Sequence, residues 1–234
     1  MMELKPASVF EAFSEINQVP RPSKREDKMM DYLLEVGRSL GLETQRDDIG
    51  NVVIRKPATP GMEDRPIVVL QSHMDMVCEK NNDTVHDFDN DPIHTYIDGD
   101  FIKAQGTTLG ADNGIGMALM LAAITSDTLK HPALECLFTV DEETGLTGAF
   151  RLQNGCLNGK QLINLDSEDD GQVFIGCAGG IDTLAKMHYS PLASLPNNHL
   201  ALNIKVSGLM GGHSGDDINK GRGNANKILV RFLY

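Results

Sequence analysis

The sequence PIVVLQSHMD, at residues 66–75, joins a run of apolar residues to two side chains that can bind a metal ion. Such a run is typical of a strand that is buried on both faces of a parallel sheet. Two further apolar segments have the same form: residues 134–140 (LECLFTV) precede three acidic residues, and residues 161–165 (QLINL) precede Asp166. The three segments therefore predict parallel strands that carry ionisable groups at their carboxyl ends.

The predicted strands alternate with predicted helices, which indicates an α/β fold with a parallel-rich mixed sheet flanked by helices. Helical spacing of apolar residues occurs over residues 9–16 and 114–125. Ser23 and Glu26 are interpreted as a capping box that opens another helix. The other predicted elements of this part are strands at residues 43–46, 52–55, 95–97, 101–103 and 173–175, and a short helix at residues 146–153.

The pattern changes after Gly180. Residues 183–189 and 201–206 alternate between apolar and polar side chains, as strands of an antiparallel sheet do. A helix is predicted from about Asn224. This change of texture predicts a second domain of the α+β type.

We therefore place a domain boundary near residue 180. It divides the chain into an α/β domain, residues 1–180, and the beginning of a second domain, residues 181–234. Apolar residues continue up to Tyr234 without a helix stop signal. From this pattern we expect the chain to be truncated at its C-terminus.

Composition restricts the class of protein. The 234 residues carry a formal net charge of −12, which argues against nucleic acid or an anionic membrane as a partner, because phosphate binding requires Lys and Arg. The first ten residues are too polar for a signal peptide, and no apolar stretch approaches the roughly 18–20 residues that span a bilayer. The four cysteines lack CxxC spacing, which favours reduced thiols. These features predict a cytoplasmic protein.

The ionisable groups at the strand ends predict a metal site. Parallel strands bring their carboxyl ends to one edge of a sheet, where His73, Asp75, the acidic residues 141–143 and Asp166 would meet. Asp112 would join them from the start of a helix. One imidazole and several carboxylates suit zinc, with manganese or cobalt as alternatives. Taken singly, Asp112 is equally well explained as a helix N-cap, and Glu142 with Glu143 as an exposed acidic turn.

Several motifs carry a resemblance to a known family. They are SHMDMV (72–77), GADNGIG (110–116), TVDEETGLTGA (139–149) and NLDSED (164–169). Together they resemble the co-catalytic di-zinc peptidases, which include aminoacylases, carboxypeptidase G-type enzymes, tripeptidases and carnosinases. Within that family, GTTLGADNGIG, LDSEDDG and IGCAGG are most similar to the bacterial aminoacyl-histidine dipeptidases, the carnosinase-like branch. The resemblance covers essentially the whole chain.

The resemblance implies two divalent metal ions, zinc by preference, and assigns their ligands. Asp112 would bridge both ions. His73 and Asp166 would complete one site, and Glu143 would bind the other ion. The fold it implies is a zinc-peptidase-like catalytic domain followed by the start of a lid or dimerisation domain.

The same resemblance assigns catalytic roles. Glu142 would act as the general base on a metal-bridging water, and Asp75 would hold the second nitrogen of the His73 imidazole. His213, in a glycine-rich loop, matches the lid histidine that helps to polarise the substrate carbonyl. Asn224 matches a position that contacts substrate.

The implied activity is hydrolysis of dipeptides, in particular Xaa-His dipeptides such as β-alanyl-histidine, by a homodimer joined through the lid. One departure from the family pattern is the absence of its last metal ligand, a histidine near the C-terminus of a longer chain. The fragment itself is therefore expected to be inactive. The alternatives are a tripeptidase or N-acyl-amino-acid deacylase of the same family, or a non-catalytic metal-binding fragment.

Overall fold

The chain forms two compact units, Met1–Gly176 and Cys177–Tyr234. The assignment of the second unit to the beginning of a lid domain stays a prediction. The residues that the computed structural model describes are 4–167, 169–177, 179, 181, 183–191, 198–212 and 217–234.

The described part of the first unit contains short strands and helices that largely follow the predicted order. The strands are β1 (Glu43–Arg46), β2 (Val52–Lys56), β3 (Val68–His73), β4 (Thr95–Asp98), β5 (Phe101–Ala104), β6 (Leu134–Thr139) and β7 (Gln161–Asn164). The helices are α1 (Ala7–Ile16), α2 (Asp27–Ser39), α3 (Ala111–Thr125) and α4 (Thr147–Phe150).

Five strands form one mixed sheet in the order β1-β2-β6-β3-β7. β3 lies between β6 and β7 and pairs in parallel with both. The β1–β2 and β2–β6 pairs are antiparallel, and β4 with β5 forms a separate hairpin. The predicted α/β class with a parallel-rich mixed sheet is therefore confirmed. Among the helices of the described residues, none has the length and apolar character needed to cross a membrane.

The core lies on both faces of the central strands. Every residue of β6 is buried, as its central position in the sheet requires. Successive side chains of a strand point to opposite faces, so Phe138 packs in a cluster with Phe13 of α1 and Met117 of α3. Leu137 points the other way, into a smaller cluster that includes Val69. This burial fixes the strand ends, and with them the groups that follow.

Helix α2 begins without the predicted capping box. The Ser23 hydroxyl donates to Oδ2 of Asp75 at 2.8 Å. Oε1 of Glu26 accepts from the backbone amides of Lys24 and Asp141, at 3.0 and 2.9 Å. The capping-box interpretation is therefore wrong, because Ser23 binds Asp75 and Glu26 binds the Asp141 amide. A buried polar group without a partner costs more free energy than an unpaired group at an exposed helix terminus.

The second unit differs from its prediction. Its described residues contain one helix, α5 (Ala225–Leu233), which begins at Asn224 as expected. No strand forms over residues 183–189 or 201–206, and none over residues 173–175 of the first unit. These three strand predictions are wrong. Residues 171–177 are exposed, and no described residue of the second unit is buried, so the apolar side chains have no core face to pack against.

Candidate metal centre

The carboxyl ends of three parallel strands carry the predicted site. His73 is the last residue of β3, Glu142 and Glu143 follow β6, and Asp166 follows β7. The parallel register pairs His73 with Thr139 at the end of β6. Because β3 lies between the other two strands, the groups that follow all three reach one edge of the sheet.

Asp112 reaches the same edge from the start of α3. Gly110 is left-handed, with φ of 68°, and Asp112 itself has non-helical angles, so the regular helix starts near Gly114. Oδ1 of Asp112 lies 2.9 Å from Nε2 of His73. The carboxylate therefore points at the strand ends, and the alternative interpretation as a helix cap does not hold.

The side chains converge on one point. One ligand atom each from His73, Asp112 and Glu143 lie within 4.8 Å of one another. Oδ1 of Asp166 is 3.4 Å from Nε2 of His73 and accepts a hydrogen bond of 2.7 Å from the Asn113 amide. An imidazole nitrogen with several carboxylate oxygens is a donor set that zinc and similar divalent ions accept. The residues present thus fit a metal ion.

Asp75 connects the His73 ring to the turn that follows β6. Its backbone carbonyl oxygen lies 3.1 Å from Nδ1 of His73, and its Oδ1 lies 3.3 Å from the same atom, which is the ring nitrogen that faces away from Asp112. Its carboxylate also accepts from the amides of Glu142 and Glu143, at 3.0 and 3.2 Å. Burial raises the pKa of the Asp75 carboxyl, but the hydrogen bonds with His73 and the Glu142 amide lower it below its ordinary value. Asp75 therefore stays charged and fixes the orientation of the ring.

The charge around His73 is strongly negative. Burial lowers the pKa of the His73 imidazole, but hydrogen bonds with three carboxylates outweigh it and raise the pKa to about 12. Those carboxylates belong to Asp112, Asp166 and Asp75. The proton balances charge that a metal ion would balance in its place, so binding of a metal to the neutral ring would release it.

Glu142 and Glu143 complete the acidic cluster. Oε2 of Glu142 is 4.0 Å from Nε2 of His73. Burial raises the pKa of the Glu142 carboxyl. Burial, and then the charge of Asp112, raise the pKa of Glu143 to about 7. Carboxyl groups with raised pKa values in a cluster of this kind are typical of a functional site, so the exposed-turn interpretation fails.

The turn that presents these two glutamates is built by Asp141. Its φ of 50° is unusual for a residue with a side chain. The Thr144 and Thr147 hydroxyls both donate to its carboxylate, and its amide donates to Glu26. Asp141 therefore shapes the turn rather than facing the metal site.

Sequence reasoning missed several residues that support the site. Arg21 donates to backbone carbonyls beside the centre, while Ser23 and Glu26 bind Asp75 and Asp141. These residues lie in the connection between α1 and α2. Such connections usually run over the surface, but Asn17, Arg21 and Glu26 are buried in this one. Nothing in their periodicity distinguished them.

Two predicted site residues belong to the second unit. His213 lies outside the described residues, so its role stays a prediction. Asn224 caps α5, since its side chain accepts from the Lys227 amide at 3.0 Å. Its expected contact with substrate also stays a prediction.

A site of carboxylates and one imidazole at the carboxyl edge of an α/β sheet is typical of metal-dependent enzymes. Residues 69–220 match the profile of peptidase family M20/M25/M40. The chain belongs to this family, whose members are metallopeptidases. The resemblance that the motifs indicated is thus confirmed.

The relatives agree with this assignment. The chain is 49% identical over 233 residues, 100% of its length and 48% of the relative's, to the cytosol non-specific dipeptidase of Escherichia coli K12. It matches the crystal structure of aminoacylhistidine dipeptidase from Vibrio alginolyticus with a TM-score of 0.75 and 47% identity, over 98% of this chain and 47% of that one. Aminopeptidase PepT from Bacillus cereus matches with a TM-score of 0.59 and 28% identity, over 72% and 45% of the chains. The chain spans about half the length of these relatives.

Proposed function

We propose that the protein is a metal-dependent dipeptidase whose reaction takes place at the carboxyl edge of its sheet. The observation that carries this proposal is the convergence of His73, Asp112 and Glu143 within 4.8 Å. The chain also belongs to a peptidase family, and two relatives with 49% and 47% identity are dipeptidases by name. His73 and Asp75 are buried within this cluster, and negative charge around buried groups is costly without cations, which supports a binding role.

The proposed ligands divide between two divalent ions, zinc by preference and manganese or cobalt otherwise. Asp112 would be shared by both ions. His73 and Asp166 would hold one ion, and Glu143 the other. When bound, the ions would lower the pKa of a shared water molecule and stabilise negative charge on the scissile carbonyl oxygen.

Glu142 is the proposed general base. Its carboxylate would take a proton from the attacking water and pass it to the amine of the leaving residue. Burial raises the pKa of Glu142, which makes its carboxylate a better acceptor for the proton of the attacking water. Asp75 would hold the His73 ring through Nδ1, as the 3.3 Å distance permits, so that Nε2 stays directed at the ion.

The proposed substrates are dipeptides, with Xaa-His dipeptides such as β-alanyl-histidine first among them. A panel of Xaa-His dipeptides, other dipeptides, tripeptides and acylated amino acids separates this activity from its alternatives. Hydrolysis confined to tripeptides or to acylated amino acids would replace the proposal by a tripeptidase or a deacylase. Cleavage of dipeptides regardless of a C-terminal histidine would support a non-specific dipeptidase.

The metal content per chain tests the centre itself. After loading with zinc and dialysis, a content of about two ions per chain by elemental mass spectrometry would mean that both sites assemble from the ligands named here. A value near one would mean that only the side built from His73, Asp112 and Asp166 binds firmly. A value near zero in folded protein would overturn the proposed centre.

We further propose that the protein is a cytoplasmic homodimer joined through its second unit. The resemblance to the dipeptidases suggests this assembly, and α5 has an apolar surface that a partner would cover, since Phe232 is 68% exposed. His213 is the proposed group that helps to polarise the substrate carbonyl. Light scattering on the purified protein tests the dimer. A monomer mass at micromolar concentration would count against the proposed dimer.

A further inference from the structure

Arg21 is a buried cation that the proposed mechanism does not use. It is 2% exposed and is the largest of the fully buried side chains among the described residues. Burial lowers the pKa of its guanidinium to about 10, so it remains charged at neutral pH. A buried arginine is stable only where its donors find partners.

The partners of Arg21 are backbone carbonyls on both sides of the metal centre. Nη1 donates to the carbonyl oxygens of Met74 and Asp75, at 3.3 and 3.1 Å. Nη2 donates to the carbonyl oxygen of Gly110. Met74 directly follows His73, and Gly110 lies two residues before Asp112. One planar guanidinium therefore joins the backbone segment that carries the imidazole to the segment that carries the proposed bridging carboxylate.

The glycines of GADNG make room for this side chain. A Cβ atom at Gly110 would lie 2.5 Å from Nη2 of Arg21, and one at Gly114 would lie 2.8 Å from the same atom. Real Cβ contacts are never so short. Gly110 and Gly114 therefore leave the space that the Arg21 guanidinium occupies beside the segment of Asp112.

Neighbours of Arg21 in the sequence make parallel contacts. The Ser23 hydroxyl donates to the Asp75 carboxylate at 2.8 Å. Glu26 accepts from the amide of Asp141 at 2.9 Å, which holds the turn that presents Glu142. The segment of residues 21–26 therefore touches the loops after β3 and β6 and, through Arg21, the start of α3.

We propose that Arg21 is a positioning residue for the metal centre, supported by Ser23 and Glu26, and this inference rests on the proposed function. Arg21 holds the loop after β3 and the start of α3 at the separation that lets His73 and Asp112 share an ion. Its own charge acts in the opposite direction, because a nearby cation repels a metal ion. A charge effect alone would make the metal bind more tightly without Arg21, whereas lost positioning makes it bind more weakly.

The Arg21→Lys variant separates these effects, because it keeps the charge and removes the planar fork of donors. Cobalt(II) is the probe, titrated against a competing chelator while its visible absorption spectrum reports the coordination geometry. We expect cobalt affinity to fall about 10- to 100-fold, the usual effect of losing a group that supports metal ligands, with a changed spectrum. Wild-type affinity and spectrum in a folded Arg21→Lys protein would overturn the inference.

Arg55→Lys is the matched control. Arg55 has a side chain only 16% exposed and binds Glu135 in the same sheet. Its other hydrogen bonds go to Glu43, Gln45 and the carbonyl oxygen of Cys156, which are not proposed ligands. The same substitution there should lower the melting temperature and leave cobalt affinity and spectrum unchanged. A general loss of stability is thereby distinguished from a loss of positioning.

Ser23→Ala keeps the inference testable if Arg21→Lys does not fold. It removes one donor to Asp75 and should weaken cobalt binding about fivefold, as the loss of one hydrogen bond implies. Unchanged affinity in that variant would then reject the positioning role of the segment. If the wild-type protein binds no cobalt, the proposed function fails together with this inference. If the wild type binds and the variants bind equally well, only the inference fails.

Discussion

Two ionic clusters lie at opposite ends of β6, and they differ in how their charges are satisfied. Near the start of the strand, the Glu135 side chain is 3% exposed and binds Nε of Arg55 at 3.0 Å. It also accepts from the amides of Asn158 and Gly159, at 2.8 and 2.9 Å. Burial raises the pKa of Glu135, but these hydrogen bonds lower it below its ordinary value. The charge of Glu135 is thus balanced by a cation and by hydrogen bonds, and we call this group, Glu135 with Arg55, the complete cluster.

The cluster beyond the end of β6 has more carboxylates than positive groups, and we call it the incomplete cluster. Its carboxylates face Arg21 and a His73 ring whose pKa is raised to about 12, while the pKa of Glu143 is raised to about 7. The carboxylates belong to Asp75, Asp112, Glu142, Glu143 and Asp166. From this difference we infer that the first network stabilises the fold and that the second is suited to bind a cation.

The largest expected effect is on the incomplete cluster. Asp112→Ala removes the carboxylate proposed to bind both ions, so the metal content per chain should fall from its wild-type value to near zero. Elemental mass spectrometry after dialysis measures it. Glu135→Gln, in the complete cluster, is the control and should retain the wild-type content. Full occupancy in Asp112→Ala would remove that residue from the ligand set.

The next effect is on catalysis alone. Glu142→Gln keeps the shape of the side chain and removes the proposed base. In a form of the protein that includes the family's C-terminal histidine ligand, kcat for dipeptide hydrolysis should fall about 10²- to 10⁴-fold. The metal content should not change, because Glu142 is not a proposed ligand. The same substitution at Glu135 should leave kcat of the folded protein at its wild-type value. A Glu142→Gln enzyme with undiminished kcat would require a different base.

Much of the incomplete cluster could be predicted from the sequence pattern of the strands. β3 and β6 are apolar runs that end in ionisable residues, and parallel strands share an edge, so the meeting of His73 and Glu143 follows from the sequence. Asp112 follows from the resemblance and from its place at a helix start. By contrast, residues 201–206 have the alternation of a strand, but alternation specifies a strand only where a core face is available.

The supporting groups could not be predicted for a different reason. Arg21 contacts residues that are 53 and 89 positions away, and no periodicity of the sequence encodes such a contact. Ser23 and Glu26 match a local motif, the capping box, but bind Asp75 and Asp141 instead. Buried partners outweigh a local preference that contributes about 1 kcal/mol.

A third effect concerns the stability of the complete cluster. Arg55→Met leaves the buried Glu135 carboxylate without its cation, and we expect the free energy of unfolding to fall by about 3 kcal/mol. Urea denaturation measures this change. Arg25→Met is the control, because Arg25 and Asp89 form an exposed pair, with side chains 61% and 43% accessible, and should cost at most about 1 kcal/mol. Equal losses in both variants would mean that the cluster does not stabilise the fold.

The smallest effect is a pH dependence of the same cluster. Glu135→Gln should lower the free energy of unfolding at pH 7 by about 2 kcal/mol, because hydrogen bonds to a charged acceptor are lost. The folded-state pKa of Glu135 lies below its ordinary value of 4.5. Its contribution is therefore fully present above pH 4.5 and disappears as the pH falls through the folded-state pKa.

The difference between wild type and Glu135→Gln should accordingly shrink as the pH is lowered below 4.5, and urea denaturation across this range measures it. Glu43→Gln is the matched control, because Glu43 binds the same arginine at 2.8 Å with a side chain that is 69% exposed. Solvent screens that pair, so we expect a change of at most about 1 kcal/mol. A difference for Glu135→Gln that stays constant down to pH 3 would mean that its charge does not stabilise the fold, because the linkage between protonation and unfolding would then be absent.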